Sequence, residues 1–198
     1  MRKGIVTFTF TVTGREAHSS KCATEGANAV LEAAHKIIEL ERIKDEEGLT
    51  CCCSVIHGGT VANTVPGSCT FLANVRFATA EQLKWIRKKV QEIADCVVVS
   101  GCSCTVDQPA ERPAMEETAR NTELLRKMNT IFQANGLPVL KGSKRTGGSD
   151  AADVTAYGIP CVDSLGVEGG KIHSEHEFAY LSSLAESAKR IALIITDI

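Results

Sequence analysis

An α/β protein built from two blocks is what three features of this 198-residue sequence predict. Over the first 110 residues, stretches with apolar residues at every second position alternate with stretches at helical spacing, in the order strand, helix, strand, strand, helix, strand. Two closely spaced prolines in Pro109-Ala-Glu-Arg-Pro113 then disfavour both helix and ladder pairing. Beyond them, helical stripes flank one short, nearly continuous apolar run at Ile159–Leu165, the pattern of a strand covered on both faces. The expected domains are therefore 4–110 and 111–198.

In the first block, Val6, Phe8, Phe10 and Val12 alternate with threonines, giving a strand with one buried face. Ala29, Val30, Ala33, Ala34, Ile37 and Ile38 recur at helical spacing, and Gly48 is placed to stop that helix. A second strand runs from Cys51 to Ile56 and turns at Gly58-Gly59. Cys69, Phe71, Ala73, Val75 and Phe77 alternate again, so that Thr70, Leu72, Asn74 and Arg76 face the other way. Thr79-Ala-Glu-Gln82 is a capping box for a helix whose stripe is Leu83, Ile86, Val90 and Ile93. Val97–Val106 closes the block as its last strand. This β-α-β-β-α-β order is the ferredoxin-like arrangement, an antiparallel sheet with both helices on one face.

The second block should open with a helix capped by Asn121, carrying Leu124, Leu125, Met128, Ile131 and Phe132 and ended by Gly136 and Pro138. A short strand near Val139, a brief helix over 149–157, the Ile159–Leu165 strand and a final helix from Ser182 follow. Parallel strands between helices imply a sheet covered on both sides, yet some 85 residues supply too few strands for one. The missing strands are expected from elsewhere.

Composition narrows the function. The apolar fraction is 43% and the formal net charge is −2 with mixed signs, so there is no basic stripe for nucleic acid and no polybasic membrane patch. A small-molecule or peptide ligand fits better than either. The opening segment alternates with threonine and lacks the apolar core of a signal peptide, and no window is apolar enough to span a bilayer. The expectation is a soluble, cytoplasmic protein. Nine cysteines include no Cys-x-x-Cys, and they read as free thiols in a reducing compartment.

Chemistry concentrates near the C-terminal end. Arg145-Thr-Gly-Gly-Ser-Asp150 pairs a guanidinium with two glycines that let backbone N–H groups approach a ligand. The loop after the Ile159–Leu165 strand then carries His173-Ser-Glu-His-Glu177, where α/β sheets bind ligands. Together with Gly14-Arg-Glu-Ala-His18-Ser-Ser, Gly58-Gly-Thr-Val-Ala-Asn63-Thr-Val-Pro66, Asn74-Val-Arg76 and Gly166-Val-Glu-Gly-Gly-Lys-Ile-His173-Ser, this series resembles the zinc-dependent family of glutamate carboxypeptidase, aminoacylase and succinyl-diaminopimelate desuccinylase. The order and spacing of the motifs, over almost the whole length, carry the resemblance.

The resemblance implies a lid and dimerisation domain followed by the C-terminal segment of a zinc-peptidase catalytic domain. It implies hydrolysis of an amide or peptide bond beside a free carboxylate by a two-zinc centre, with glutamate-type carboxypeptidase the nearest subgroup. N-acyl-amino-acid deacylation, or a non-catalytic dimerisation and substrate-binding module, are the alternatives. His173 becomes a zinc ligand. His18 becomes a catalytic residue reaching across a homodimer to stabilise the oxyanion. Asn63, Arg76, Arg145, Gly147, Gly148 and Ser149 become substrate-binding, the arginines holding a terminal carboxylate bidentately. Asp150 reads as a structural acid at a helix N-terminus. The family's other metal ligands and its glutamate base have no counterpart here, and a two-metal site needs several ligands plus a base. This chain alone is therefore expected to be inactive and to bind zinc only weakly.

Overall fold

The structure is a computed structural model and describes residues 1–45 and 48–197. It divides into two compact units, one formed by Arg2–Ala114 with Thr146–Gly148, the other by Met1, Met115–Arg145 and Ser149–Ile198.

The first unit has the expected order: β1 (Gly4–Thr13), α1 (Ala29–Glu41), β2 (Thr50–Gly58), β3 (Ser68–Phe77), α2 (Ala80–Asp95) and β4 (Ser103–Arg112). Its four-stranded sheet runs β2-β3-β1-β4, with every pair antiparallel. Period-two alternation buries Val6, Phe8, Phe10 and Val12 of β1 and Cys69, Phe71, Ala73, Val75 and Phe77 of β3. Phe10 and Phe71 stack at 4.7 Å, each burial contributing roughly 1.5–3 kcal/mol. The stripe Leu83, Ile86, Val90 and Ile93 of α2 closes the same core. Thr79 caps α2 by accepting from the Gln82 N–H, while the Gln82 side chain reaches one residue further back and accepts from the Ala78 N–H at 2.7 Å instead of closing the box on Thr79.

α1 departs from its pattern. Its buried residues are Ala29, Glu32, Ala33, Lys36 and Leu40, whereas Ile38, expected on the core stripe, is 51% exposed. Lys36 Nζ meets Glu32 Oε1 at 2.9 Å and donates to the carbonyls of Ile93 (2.9 Å) and Cys96 (2.8 Å) at the end of α2. Glu32 accepts from the N–H groups of Val98 and Val99, the latter at 2.6 Å. Satisfying orphaned helix carbonyls and loop amides compensates the cost of burying both charges. Burial pushes the Glu32 carboxyl up, but Lys36 and the two amides outweigh it and leave its pKa lowered.

The same clamp explains a shifted strand. Val97 and Val98, expected in the last strand, are half exposed, because their segment serves Glu32 instead of a ladder. β4 begins only at Ser103 and continues through Pro109. The proline is tolerated because β4 is an edge strand and residues 108–109 sit where its register with β1 slips between Thr7 and Thr9. Gly48 does not end α1, which stops at Glu41 with Arg42 as its C-cap. With φ +106°, Gly48 makes the turn before β2.

The second unit contains α3 (Ala119–Ala134), the short α4 (Ala151–Ala156), a hairpin of β5 (Gly169–Gly170) with β6 (Phe178–Ala179), and α5 (Leu181–Asp197). Thr118, not Asn121, caps α3. Asn121 is buried and spends its amide on tying the unit together, accepting from the Cys161 N–H at 2.9 Å and donating to the Glu116 carbonyl. Gly136 ends the helix as expected: Leu137 donates to Phe132 O and Gly136 to Gln133 O, a Schellman ending. Arg190 of α5 lies over the Phe132 ring. Among the described residues, neither the segment near Val139 nor Ile159–Leu165 forms a strand, and no parallel sheet is present. A short apolar run marks a segment able to join a ladder, but no described strand pairs with it.

Candidate functional site

Two constellations of predicted residues lie in the first unit, at opposite ends of its sheet. The first is built where β1 runs out. Gly14 lets the chain leave β1 close to residue 27, since a Cβ there would meet the Ala27 carbonyl oxygen at 2.1 Å. Residues 15–21 then turn over the loop that follows β2. Ser19 N–H donates to Asn63 O at 2.8 Å and Val65 N–H to Ala17 O at 2.8 Å, and His18 bridges Thr64. The backbone on both sides of His18 is thus clasped to the backbone of the Asn63 loop, while both side chains stay exposed. His18 also caps the single 3-10 turn Ser19–Lys21, its Nδ1 lying 2.8 Å from Ser20 Oγ and 3.3 Å from Ser20 N.

The second constellation is at the other end. Arg76 stands opposite Ile5 in the β1·β3 register, and Thr13 opposite Ser68. Eight residues of extended chain separate these pairs, about 25 Å at strand rise. Arg76 lies on the sheet face away from the core, alongside Asn74, which donates to Thr7 Oγ1 at 3.1 Å. Its Nη1 donates to the Thr146 carbonyl at 3.0 Å, which holds the Thr146–Gly148 turn against this end of the sheet. The turn is close-fitting there, for a Cβ on Gly148 would come within 3.2 Å of Ile5 Cδ1 and Arg112 Cδ.

The remaining predicted residues belong to the second unit. The Arg145 N–H donates to Met1 O at 3.1 Å. Ser149 Oγ accepts from the Ala151 N–H at 3.3 Å at the start of α4. Asp150 occupies the N-cap position of α4, the helix N-terminus at which the sequence placed it as a structural acid, without a side-chain cap bond. His173 sits in the exposed β5–β6 loop with φ +65°, and Ser164 (φ 67°) and Lys171 (φ 56°) are likewise left-handed. Such backbone costs a non-glycine residue energy and concentrates at functional loops. Glu177 Oε2 accepts from the backbone N–H of His173 at 3.3 Å. His176 is exposed and 3.9 Å from Glu175.

Among the described residues, no three His, Cys, Asp or Glu side chains are grouped to hold a metal ion. His173 is a single donor, and a zinc centre requires three or four. The described residues therefore do not fit a zinc site by themselves. The cysteines do not supply one either. Cys51, Cys69 and Cys102 are buried core residues, whereas Cys22, Cys52 and Cys96 are exposed. Burial pushes the Cys104 thiol up to about 11.

The first unit is thus an antiparallel sheet with two helices on one face and two exposed end loops, and its family is identifiable. The model of the M20 peptidase dimerisation domain matches residues 1–102, and the chain belongs to this family. Carboxypeptidase G2 of Pseudomonas sp. (strain RS-16) is 26% identical over 197 residues, covering 98% of this chain and 48% of that protein. A tripeptidase from Staphylococcus aureus superimposes with a TM-score of 0.75 at 24% identity, over 98% of this chain and 51% of its own. A Bacillus subtilis dinuclear metal-binding peptidase of the M20 family gives 0.70 at 15% identity, over 98% and 51%. The chain thus spans about half the length of the relatives it matches. No helix among the described residues is long and apolar enough to cross a membrane.

Proposed function

We propose that this chain provides the dimerisation and substrate-gripping part of a metal-dependent hydrolase that cleaves an amide or peptide bond beside a free carboxylate, in the manner of glutamate carboxypeptidases. His18 is the oxyanion donor and Asn63 its neighbour at the substrate. Arg76, Arg145, Gly147, Gly148 and Ser149 grip the carboxylate, and His173 is one ligand of a zinc centre. The other ligands and the base come from outside the described set, so turnover belongs to the assembled enzyme and not to this chain alone.

One observation carries this reading: His18 follows one end of β1 and Arg76 pairs with the other, and these strand ends are about 25 Å apart at strand rise. A single copy of the unit cannot bring both to one small substrate, but a two-fold copy can present the His18 end of one protomer to the Arg76 end of the other. Exposed Val55 and Ile56 on edge strand β2, with Leu31 and Ile38 on α1, suit pairing between copies.

The test is complementation in the assembled enzyme. His18→Ala protein mixed with His173→Ala protein should recover roughly a quarter of wild-type activity, since half the exchanged dimers are hybrids with one intact site. Proven subunit exchange without recovery would show that His18 acts within its own chain or not at all.

A further inference from the structure

The ring of His18 makes contacts that its proposed role leaves unused. A backbone N–H can only donate, so the approach of Ser20 N to Nδ1 at 3.3 Å requires a lone pair on that nitrogen. The remaining proton of the neutral imidazole then sits on Nε2. Ser20 Oγ, at 2.8 Å from the same Nδ1, is correspondingly the donor of its pair, and its hydroxyl can rotate to suit. We infer that Ser20 is a positioning residue whose backbone N–H holds His18 in the Nε2–H tautomer, leaving that N–H on an exposed side chain as a ready hydrogen-bond donor.

Three layers of restraint act on one side chain. The backbone is held by the bonds from Ser19 to Asn63 and from Val65 to Ala17, the ring is held by the turn that His18 caps, and the proton is assigned by Ser20. A donor fixed before the substrate arrives needs no reorganisation when negative charge develops on the carbonyl oxygen, which is what gives oxyanion stabilisation its size. With the opposite tautomer, a lone pair on Nε2 would face that charge and repel it. The chemical class of the group recognised follows: a carbonyl oxygen that becomes anionic. This inference rests on the proposed role of His18 for its consequence, but not for the tautomer itself.

The two are separated by measuring the ring directly. Long-range proton–nitrogen correlation spectra of the 198-residue chain, with His18 assigned by its disappearance in His18→Gln, should show Nε2 protonated and Nδ1 bearing the lone pair. Ser20→Ala, which keeps the backbone N–H that requires the lone pair, should leave Nε2–H predominant, and Ser20→Pro, which removes that N–H at a position in the first turn where proline is tolerated, should raise the Nδ1–H share. Ser20 is exposed, so neither change threatens folding. In the assembled enzyme, Ser20→Pro should lower kcat about tenfold with little change in KM, the size typical of a partner that orients a functional histidine. A predominantly Nδ1–H ring in the wild type, or a tautomer balance unmoved by Ser20→Pro, overturns the positioning role. Tautomer selection as described, with turnover indifferent to His18→Ala, keeps the positioning role and sinks the functional reading instead.

Discussion

The two units of this chain treat apolar sequence in opposite ways. In the first, the central strands β1 and β3 are bonded on both sides, and their alternating faces close a core in which Val6, Phe10, Val12, Ala73 and Val75 are fully buried. In the second, Ile159, Ile172, Leu184 and Ile195 are each more than half exposed, and the run around Ile159–Leu165 joins no ladder. Both regions carry comparable side chains; what differs is whether the partners for backbone and side chain lie among the described residues. A strand is a relation between segments, so the same local pattern yields a ladder in one place and an unpaired extended stretch in another.

Native-state hydrogen exchange breaks or sharpens this contrast most directly. The amides of β1 and β3 should open only with the whole first unit, at a cost of about 5–15 kcal/mol. Those of Val162 and Leu165 should exchange at close to free-peptide rates. Protection at Val162 and Leu165 comparable to β3 would mean that a ladder exists there and that the contrast is false.

A smaller effect tests what makes the first unit self-sufficient. Lys36→Ala leaves Glu32 charged and buried and frees two carbonyls at the end of α2, and should destabilise the unit by about 3–5 kcal/mol. The double variant Glu32→Leu with Lys36→Met should recover much of that in denaturant unfolding, because an apolar pair needs no partners. If Lys36→Ala unfolds at the wild-type denaturant midpoint, the clamp holds nothing.

The smallest effect is the pH dependence of the same pair. The folded carboxyl of Glu32 lies below its ordinary value of 4.5 because Lys36 and the amides of Val99 and Val98 outweigh burial. A group lowered in this way contributes its stability above pH 4.5 and loses it as the pH falls through the folded value. Stability of the first unit should therefore decline on acidification below about pH 4.5. Glu32→Gln should show a shallower acid limb in unfolding measured across that window, and an unchanged limb would remove Glu32 from the acid response.

Legibility followed the range of the interactions involved. β1, β3 and α2 were readable because their stripes are apolar throughout and serve one core. The buried face of α1 was hidden because Glu32 and Lys36, four residues apart, look like a solvated ion pair; only the arrival of the α2 terminus and of residues 98–99 makes burial affordable. The same event displaced β4, since amides engaged by a carboxylate cannot also enter a ladder. Asn121 was legible as a helix-start residue and proved to be a bridge to Cys161, forty residues away, which no local pattern encodes.

By itself the sequence determined the element order of the first unit, the faces of its central strands, and the residues for which function is proposed: His18, Asn63, Arg76, the Arg145–Ser149 turn and His173. These depend on side-chain chemistry and on periods of two or 3.6 residues, both of which are local. Only the tertiary structure decided that His18 and the Asn63 loop share one clasp, that Ser20 meets the Nδ1 of that imidazole, and that Arg76 holds the Thr146 carbonyl at the far end of the sheet. Strand register and loop closure set those distances, and register is fixed by the packing of a whole face at once.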